Sequence, residues 1–336
     1  ARRPDPGMKI AIIGAGAWGT ALAVAARRAG RDVLIWALEP EVAYGIAHDN
    51  ENRPYLPRVK LDPAIRATND LGDVAAADIV LLAAPAQHFR RTVGPLAGQL
   101  APSTPLIICS KGIEQETLAL MSEAISSLFA ANPIMVLSGP TFASDVAAGL
   151  PTAVTLAAYD IDAAQQVANC LSSERFRPYS GDDVIGAQIG GAIKNVLAIA
   201  CGIADGRSFG DNARASLITR GLTELTRLCL AKGGRAETMM GLSGMGDLVL
   251  TCTGTQSRNY SLGLAIGQGR TLADILEERN SVAEGVFTAS AAVALAEKLD
   301  VDMPITAAVD AVLNRDADID DVIGALLARP LKTETG

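Results

Sequence analysis

A handful of residues carry the chemical potential of this chain. Lys194 lies in the apolar run Val184–Ala204, directly after Gly190-Gly191-Ala192-Ile193, where a fully hydrated lysine is out of place. Its amine has two readings. It could be a structural lysine that threads its stem through apolar surface to water, the better reading of the residue taken alone. It could instead be a partly buried amine whose lowered pKa suits proton transfer. Asp247 follows Gly244-Met245-Gly246, a flexible loop that could bring a carboxylate to Lys194; it could also cap a helix beginning at Leu248. Asn195 and Thr251 are candidate hydrogen-bonding partners for this pair. Arg258, between Ser257 and Asn259 at the start of an apparent helix, offers a guanidinium fork and nearby backbone N–H groups, a combination that suits phosphate. A lone arginine there would ordinarily be a surface residue. Hydride reduction of a carbonyl needs a proton donor and support for the developing negative charge, and an amine with a carboxylate beside it can supply both. The chain has two histidines, His48 and His88, so a histidine acid is scarce, and no metal site is expected. His88 reads as a loop residue.

Gly14-Ala15-Gly16-Ala17-Trp18-Gly19 fits G-x-G-x-x-G and stands between a strand and a helix, the context that this motif requires. Gly14 permits the tight turn, Gly16 lets backbone approach a pyrophosphate, and Gly19 allows close helix–strand packing. The helix N-terminus adds free N–H groups and a positive dipole end. Glu39 stands about 20 residues past Gly19, where an acid accepts from a ribose 2′-OH. No arginine is present there to meet a 2′-phosphate, so NAD is expected over NADP. A solvated loop acid is the alternative reading of Glu39.

The elements that must position these residues change character along the chain. Lys9–Ile13, Asp32–Trp36, Asp78–Ala84, Pro105–Cys109, Ile134–Leu137 and Thr152–Leu156 read as strands, with helical stretches such as Trp18–Ala29 between them. Runs rich in Val, Ile and Leu predict a parallel sheet covered on both faces, a doubly wound α/β domain of Rossmann type. From about Asp183 the pattern is helical: Val184–Ala204, Ala213–Ala231, Ser257–Gln268, Val286–Leu299 and Ile305–Leu313. The expected division is a dinucleotide-binding domain over 8–185 and an all-α substrate and catalytic domain over 186–330.

At 336 residues the chain can hold two domains, and 49% hydrophobic with 20% charged residues is a globular composition. A formal net charge of -8 disfavours nucleic acid and anionic lipid as partners. Five dispersed cysteines without a C-x-x-C pair suggest reduced thiols and a cytoplasmic setting. No apolar run is expected to reach the roughly eighteen residues of a membrane span. Ala1–Gly7 lacks a signal-peptide core and reads as a disordered leader. The apolar helical half makes a homodimer plausible.

Several strings carry a family resemblance. They are Ser110-Lys111-Gly112, Ser138-Gly139-Pro140-Thr141-Phe142-Ala143, Gly190-Gly191-Ala192-Ile193-Lys194-Asn195, Gly210-Asp211-Asn212-Ala213-Arg214, Gly244-Met245-Gly246-Asp247-Leu248 and Thr255-Gln256-Ser257-Arg258-Asn259. Together, from about Met8 to Arg329, the chain closely resembles the bacterial glycerol-3-phosphate dehydrogenases that use NAD or NADP. The resemblance implies interconversion of dihydroxyacetone phosphate and glycerol 3-phosphate, with flux toward glycerol 3-phosphate for phospholipid synthesis. It implies that Lys194 is catalytic, with Asp247 beside it. Lys111 would touch both cofactor and substrate. Gly139, Thr141, Lys194, Asp247, Ser257, Arg258 and Asn259 would contact substrate, Arg258 also lying near the cofactor. Ala17, Trp18, Ala143, Val282 and Glu284 would contact the dinucleotide. Leu38-Glu39 resembles the NAD-preferring animal enzymes rather than the bacterial members with Arg or His at Leu38, and Asp145 stands where the family usually has Glu. The alternatives are a β-hydroxyacid dehydrogenase of related two-domain architecture, which would need a carboxylate-binding set in place of Thr255–Asn259, and a non-catalytic dinucleotide sensor.

Overall fold

The computed structural model describes residues 7–278, 284–330 and 333. The expected leader, apart from Gly7, and Val282 lie outside the described residues.

The first half runs β1 (Lys9–Ile13), α1 (Ala17–Arg28), β2 (Asp32–Trp36), α2 (Pro40–Tyr44), β3 (Glu51–Asn52), β4 (Leu56–Lys60), β5 (Ile65–Thr68) and β6 (Ile79–Leu82). It continues through α3 (Phe89–Val93), β7 (Leu106–Ile108), α4 (Met121–Ser126), β8 (Ile134–Ser138), α5 (Ala143–Ala148), β9 (Thr152–Ala158), α6 (Ile161–Leu171) and β10 (Phe176–Gly181). Among the described residues, eight of these strands form one sheet in the order β10-β9-β8-β7-β6-β1-β2-β5, while β3 and β4 make a separate hairpin. All neighbours pair in parallel except β8 and β9, which are antiparallel, so β9 and β10 run against the other six. Central strands are apolar on both faces because helices cover both; every residue of β6 is buried. The chain order reverses between β6 and β1, and a crevice at such a point is where open α/β sheets bind ligands.

The second half is helical. It comprises α7 (Val184–Gly206), α8 (Gly210–Ala231), α9 (Ala236–Met239), α10 (Asp247–Cys252), α11 (Arg258–Gly267), α12 (Leu272–Glu278), α13 (Glu284–Lys298), α14 (Pro304–Asn314) and α15 (Ile319–Leu327). α7 begins where Asp183 accepts from Gly186 N at 2.8 Å, a side-chain cap. Contrary to the sequence expectation, α7 is long and apolar enough to cross a membrane by length and composition, because a lone Lys194 does not break its apolar stretch. Its 18-residue apolar window is 89% buried inside the protein, so it is a core helix.

α7 and α11 meet backbone to backbone. An ideal Cβ on Gly202 would lie 2.2 Å from Tyr260 O, on Gly206 2.5 Å from Leu264 O, on Gly263 2.1 Å from Ile199 O and on Gly267 2.4 Å from Ile203 O. Glycine four residues apart on both helices is therefore a requirement of the crossing, and it fixes α11 against α7 rigidly.

Candidate active site

The parallel strands β1, β6, β7 and β8 end on one edge, and Gly14, Pro85, Lys111 and Gly139 lie just beyond their ends. α7 packs across the β8 end of that edge and carries Lys194 at mid-length. Gly191 permits the approach, since a Cβ there would lie 2.8 Å from Ser138 Oγ and 3.3 Å from Lys111 Cγ. Gly190 does the same for the turn before α10, where a Cβ would come within 2.1 Å of Ser243 O.

That turn delivers Asp247, which is fully buried. Its Oδ1 accepts from Lys194 Nζ in a short contact, and its Oδ2 accepts from Lys111 Nζ at 2.6 Å. Lys194 Nζ also donates to Thr251 Oγ1 at 3.0 Å, while Thr251 Oγ1 donates to Asp247 O at 2.6 Å. Lys111 Nζ reaches Gly139 O at 3.3 Å, and Thr141 Oγ1 donates to the same carbonyl at 3.2 Å. One carboxylate thus stands between two ammonium groups. Burial lowers the Lys194 amine to about 8, with the nearby Lys111 acting in the same direction and Asp247 opposing both. An amine so placed can hold or release a proton near neutral pH.

Ser257, Arg258 and Asn259 open α11. Ser257 Oγ caps the helix by accepting from Tyr260 N at 3.2 Å, and Arg258 is exposed at the first turn. Asn259 is buried; its Nδ2 donates to Asn195 Oδ1 at 3.0 Å and its Oδ1 accepts from Gly285 N at 3.0 Å. Asn195, expected beside the lysine, instead joins α7 to α11. Glu284 heads α13; burial raises its carboxyl pKa, against the pull of Arg258, Lys111 and Lys194.

The glycine turn lies farther along the edge. Gly14 has φ +107°, and a Cβ there would sit 2.9 Å from the Ala83 carbonyl. A Cβ on Gly19 would overlap Gly14 O at 1.8 Å. An ideal Cβ on Gly16 meets nothing within 4 Å, so an open cradle lies over the start of α1. Trp18 Nε1 is buried there without a hydrogen-bond partner. These features fit a dinucleotide: Gly14, Gly16 and Gly19 would hold its pyrophosphate at the α1 N-terminus, with Ala17 and Trp18 alongside. Ala143 begins α5 and packs on the same core. At the end of β2, Leu38 is 70% exposed and Glu39 accepts from Tyr55 Oη at 2.9 Å. Strands β7 and β2 are three steps apart, roughly 14 Å at about 4.8 Å per step, so an extended ligand could span from Lys111 to Glu39.

Other expectations concern residues elsewhere. His88 is exposed at the end of a short 3-10 turn, and His48 stacks on Tyr44 with ring centroids 4.2 Å apart. The five cysteines are free thiols, four of them buried. Among the described residues no cluster of His, Cys, Asp and Glu could hold a metal. Sequence reasoning missed Asn52 and Tyr55, which contact the cofactor side of the edge; the signal available was an Asn and a Tyr three residues apart in a proline-containing turn.

Comparison with known proteins agrees with this geometry. Residues 9–164 match the family described as NAD-dependent glycerol-3-phosphate dehydrogenase N-terminus, and residues 183–324 match its C-terminus. A glycerol-3-phosphate dehydrogenase (NAD(P)+) of Rhodospirillum rubrum is 54% identical over 328 residues, covering 97% of this chain and 94% of the relative. One of Parvibaculum lavamentivorans is 51% identical over 327 residues, covering 97% and 98%. The crystal structure of glycerol-3-phosphate dehydrogenase from Coxiella burnetii superposes with a TM-score of 0.92 at 38% identity, covering 97% of this chain and 100% of that one. On sequence and fold alike, the chain belongs to the NAD-dependent glycerol-3-phosphate dehydrogenase family.

Proposed function

We propose that this chain interconverts dihydroxyacetone phosphate and sn-glycerol 3-phosphate, using NAD or NADP, and supplies glycerol 3-phosphate for phospholipid synthesis. The observation that carries the reading is Asp247 held between Lys111 and Lys194 at the sheet edge that also bears the glycine turn. When bound, the dinucleotide supplies or accepts the hydride. Lys194 as an ammonium gives its proton to the carbonyl oxygen during reduction, and as a neutral amine takes the hydroxyl proton during oxidation. Asp247 holds both lysines in place and offsets their charge. Lys111, Gly139 and Thr141 contact the substrate near its reacting end. Ser257, Arg258 and Asn259 hold its phosphate at the α11 N-terminus. Glu284 flanks the dinucleotide, and Glu39 favours NAD.

The proposal includes a division into domains at 8–185 and 186–330, supported by the change from strands to helices after β10. It also includes a homodimer, supported by the apolar helical half, and a cytoplasmic setting, supported by the free thiols. Neither the β-hydroxyacid reading nor the dinucleotide-sensor reading is favoured, given the family and the intact lysine–aspartate pair. Absorbance at 340 nm tests the function: NADH is consumed with dihydroxyacetone phosphate and not with unphosphorylated dihydroxyacetone. Equal rates with both would overturn the phosphate assignment, and no consumption with either would overturn the activity.

A further inference from the structure

The β3–β4 hairpin is fastened to the glycine turn by a buried side chain. Asn52 is 1% exposed, and its Nδ2 donates to Ala15 O and to Thr20 Oγ1, each at 2.7 Å. Ala15 lies inside the glycine motif and Thr20 is in the first turn of α1. In a trans peptide the C=O and the following N–H point in opposite directions. Anchoring Ala15 O inward on Asn52 therefore aims Gly16 N–H outward, toward the open cradle. The other end of the same amide, Asn52 Oδ1, accepts from Tyr55 N at 3.3 Å at the hairpin turn. Tyr55 in turn reaches across to the end of β2 and donates its hydroxyl to Glu39 Oε1 at 2.9 Å. The hairpin is thus a strap running from the phosphate-binding turn, through Asn52 and Tyr55, to the acid that meets the ribose.

We propose that Tyr55 is a specificity-determining positioning residue: by holding one oxygen of Glu39 it presents the other to a ribose 2′-OH and keeps a carboxylate where a 2′-phosphate would have to sit. The proposal rests on the reading that Glu39 faces the adenosine ribose. A free glutamate at a strand end would rotate away from a 2′-phosphate at little cost, losing discrimination. A glutamate bonded to Tyr55 is already ordered for the hydroxyl and cannot retreat without losing a charge-assisted bond.

The test uses fluorescence titration of NADH and NADPH against the intact protein, beside steady-state kinetics with each. In Tyr55→Phe the preference for NADH over NADPH falls by roughly fivefold, the size of one ordinary solvent-exposed hydrogen bond. The kcat with NADH and the KM for dihydroxyacetone phosphate stay unchanged. In a Glu39→Ala background, which has no acceptor for the hydroxyl, the same Tyr55→Phe change leaves the preference unaltered, because the two residues act as a unit. Tyr55 is 41% exposed and phenylalanine preserves its ring, so the variant folds; a circular dichroism melt matching the parent checks this. An unchanged preference in Tyr55→Phe, with Glu39→Ala alone lowering it, overturns the role of Tyr55 and leaves the ribose reading standing. An unchanged preference in Glu39→Ala overturns both. Equal loss from Tyr55→Phe in the two backgrounds assigns the ring a separate contact and also overturns the proposal.

Discussion

Asn195 and Asn259 join α7, the helix that carries Lys194, to α11, the helix that carries Arg258, through one 3.0 Å side-chain bond. Asn195 is the immediate neighbour of Lys194, and Asn259 that of Arg258, so the bond ties the two ends of the proposed substrate site at adjacent residues. The second half of the Asn259 amide is occupied by Gly285 N, which prevents it from turning. The spacing between the proposed proton donor and the proposed phosphate anchor is therefore built in before substrate arrives.

The phosphate end is the first to test. Arg258→Ala is expected to raise the KM for dihydroxyacetone phosphate roughly tenfold to hundredfold, as for losing about 1.5–3 kcal/mol of charge-assisted contact. Steady-state KM measurements on the parent and the variant decide it, and an unchanged KM would remove Arg258 from the phosphate site.

At the other end, Lys194→Ala is expected to lower kcat by about 10²–10⁴-fold, the usual contribution of a positioned acid or base, while NADH binds as before. Single-turnover absorbance at 340 nm combined with NADH titration separates the two effects. Substantial retained turnover would exclude the lysine from proton transfer.

Burial sets the direction of the pH dependence. With the Lys194 amine lowered to about 8, reduction of the ketone, which needs the ammonium, stays fast below that pH and declines as pH rises through it. Oxidation of glycerol 3-phosphate needs the neutral amine and rises over the same interval. Asp247→Asn removes the carboxylate that holds this pKa up, so the decline in reduction moves to lower pH. Initial rates between about pH 6 and 10 for both proteins check the shift and its sign; a midpoint common to both would argue against the pairing.

The helix crossing makes a prediction about stability. Gly202→Ala would place a methyl group 2.2 Å from Tyr260 O, and forcing α7 and α11 apart is expected to cost about 1–3 kcal/mol. Thermal unfolding should show a Tm lowered by several degrees. Gly16→Ala, whose Cβ meets nothing, should melt like the parent while binding NADH less tightly.

What the sequence disclosed, and what it hid, follows from how each feature is encoded. β1 and β2 were legible to the residue because buried parallel strands are continuous apolar runs between turn residues. β10 was missed because Phe176–Gly181 contains Pro178 and, as a sheet-edge strand, buries only Phe176. β5, at the opposite edge, is short and half exposed for the same reason. The antiparallel junction of β8 and β9 could not be read, since composition carries no strand direction. α7 was legible as a helix, but its membrane-like length was overlooked because Lys194 draws attention away from the apolar residues on either side. In the site, Lys194, Asp247 and Thr251 could be associated from their types and settings. The contact of Lys111 with Asp247 bridges 136 positions of sequence and depends on the sheet edge being assembled. Asn52 stayed hidden because a single asparagine in a loop looks the same whether it faces water or clamps a neighbouring turn.

α7 is enclosed on every side, from the strand ends at its start to the glycine seam near its finish, and nearly all its residues are out of contact with water. An element so hemmed in has no low-energy local opening, and its amide protons should exchange with deuterium only when the entire molecule unfolds. The amine at its centre is then a fixed post. Whatever swings inward when ligands enter must be the lighter surface segments around it, and mutations that slow turnover through motion should map there and not onto this helix.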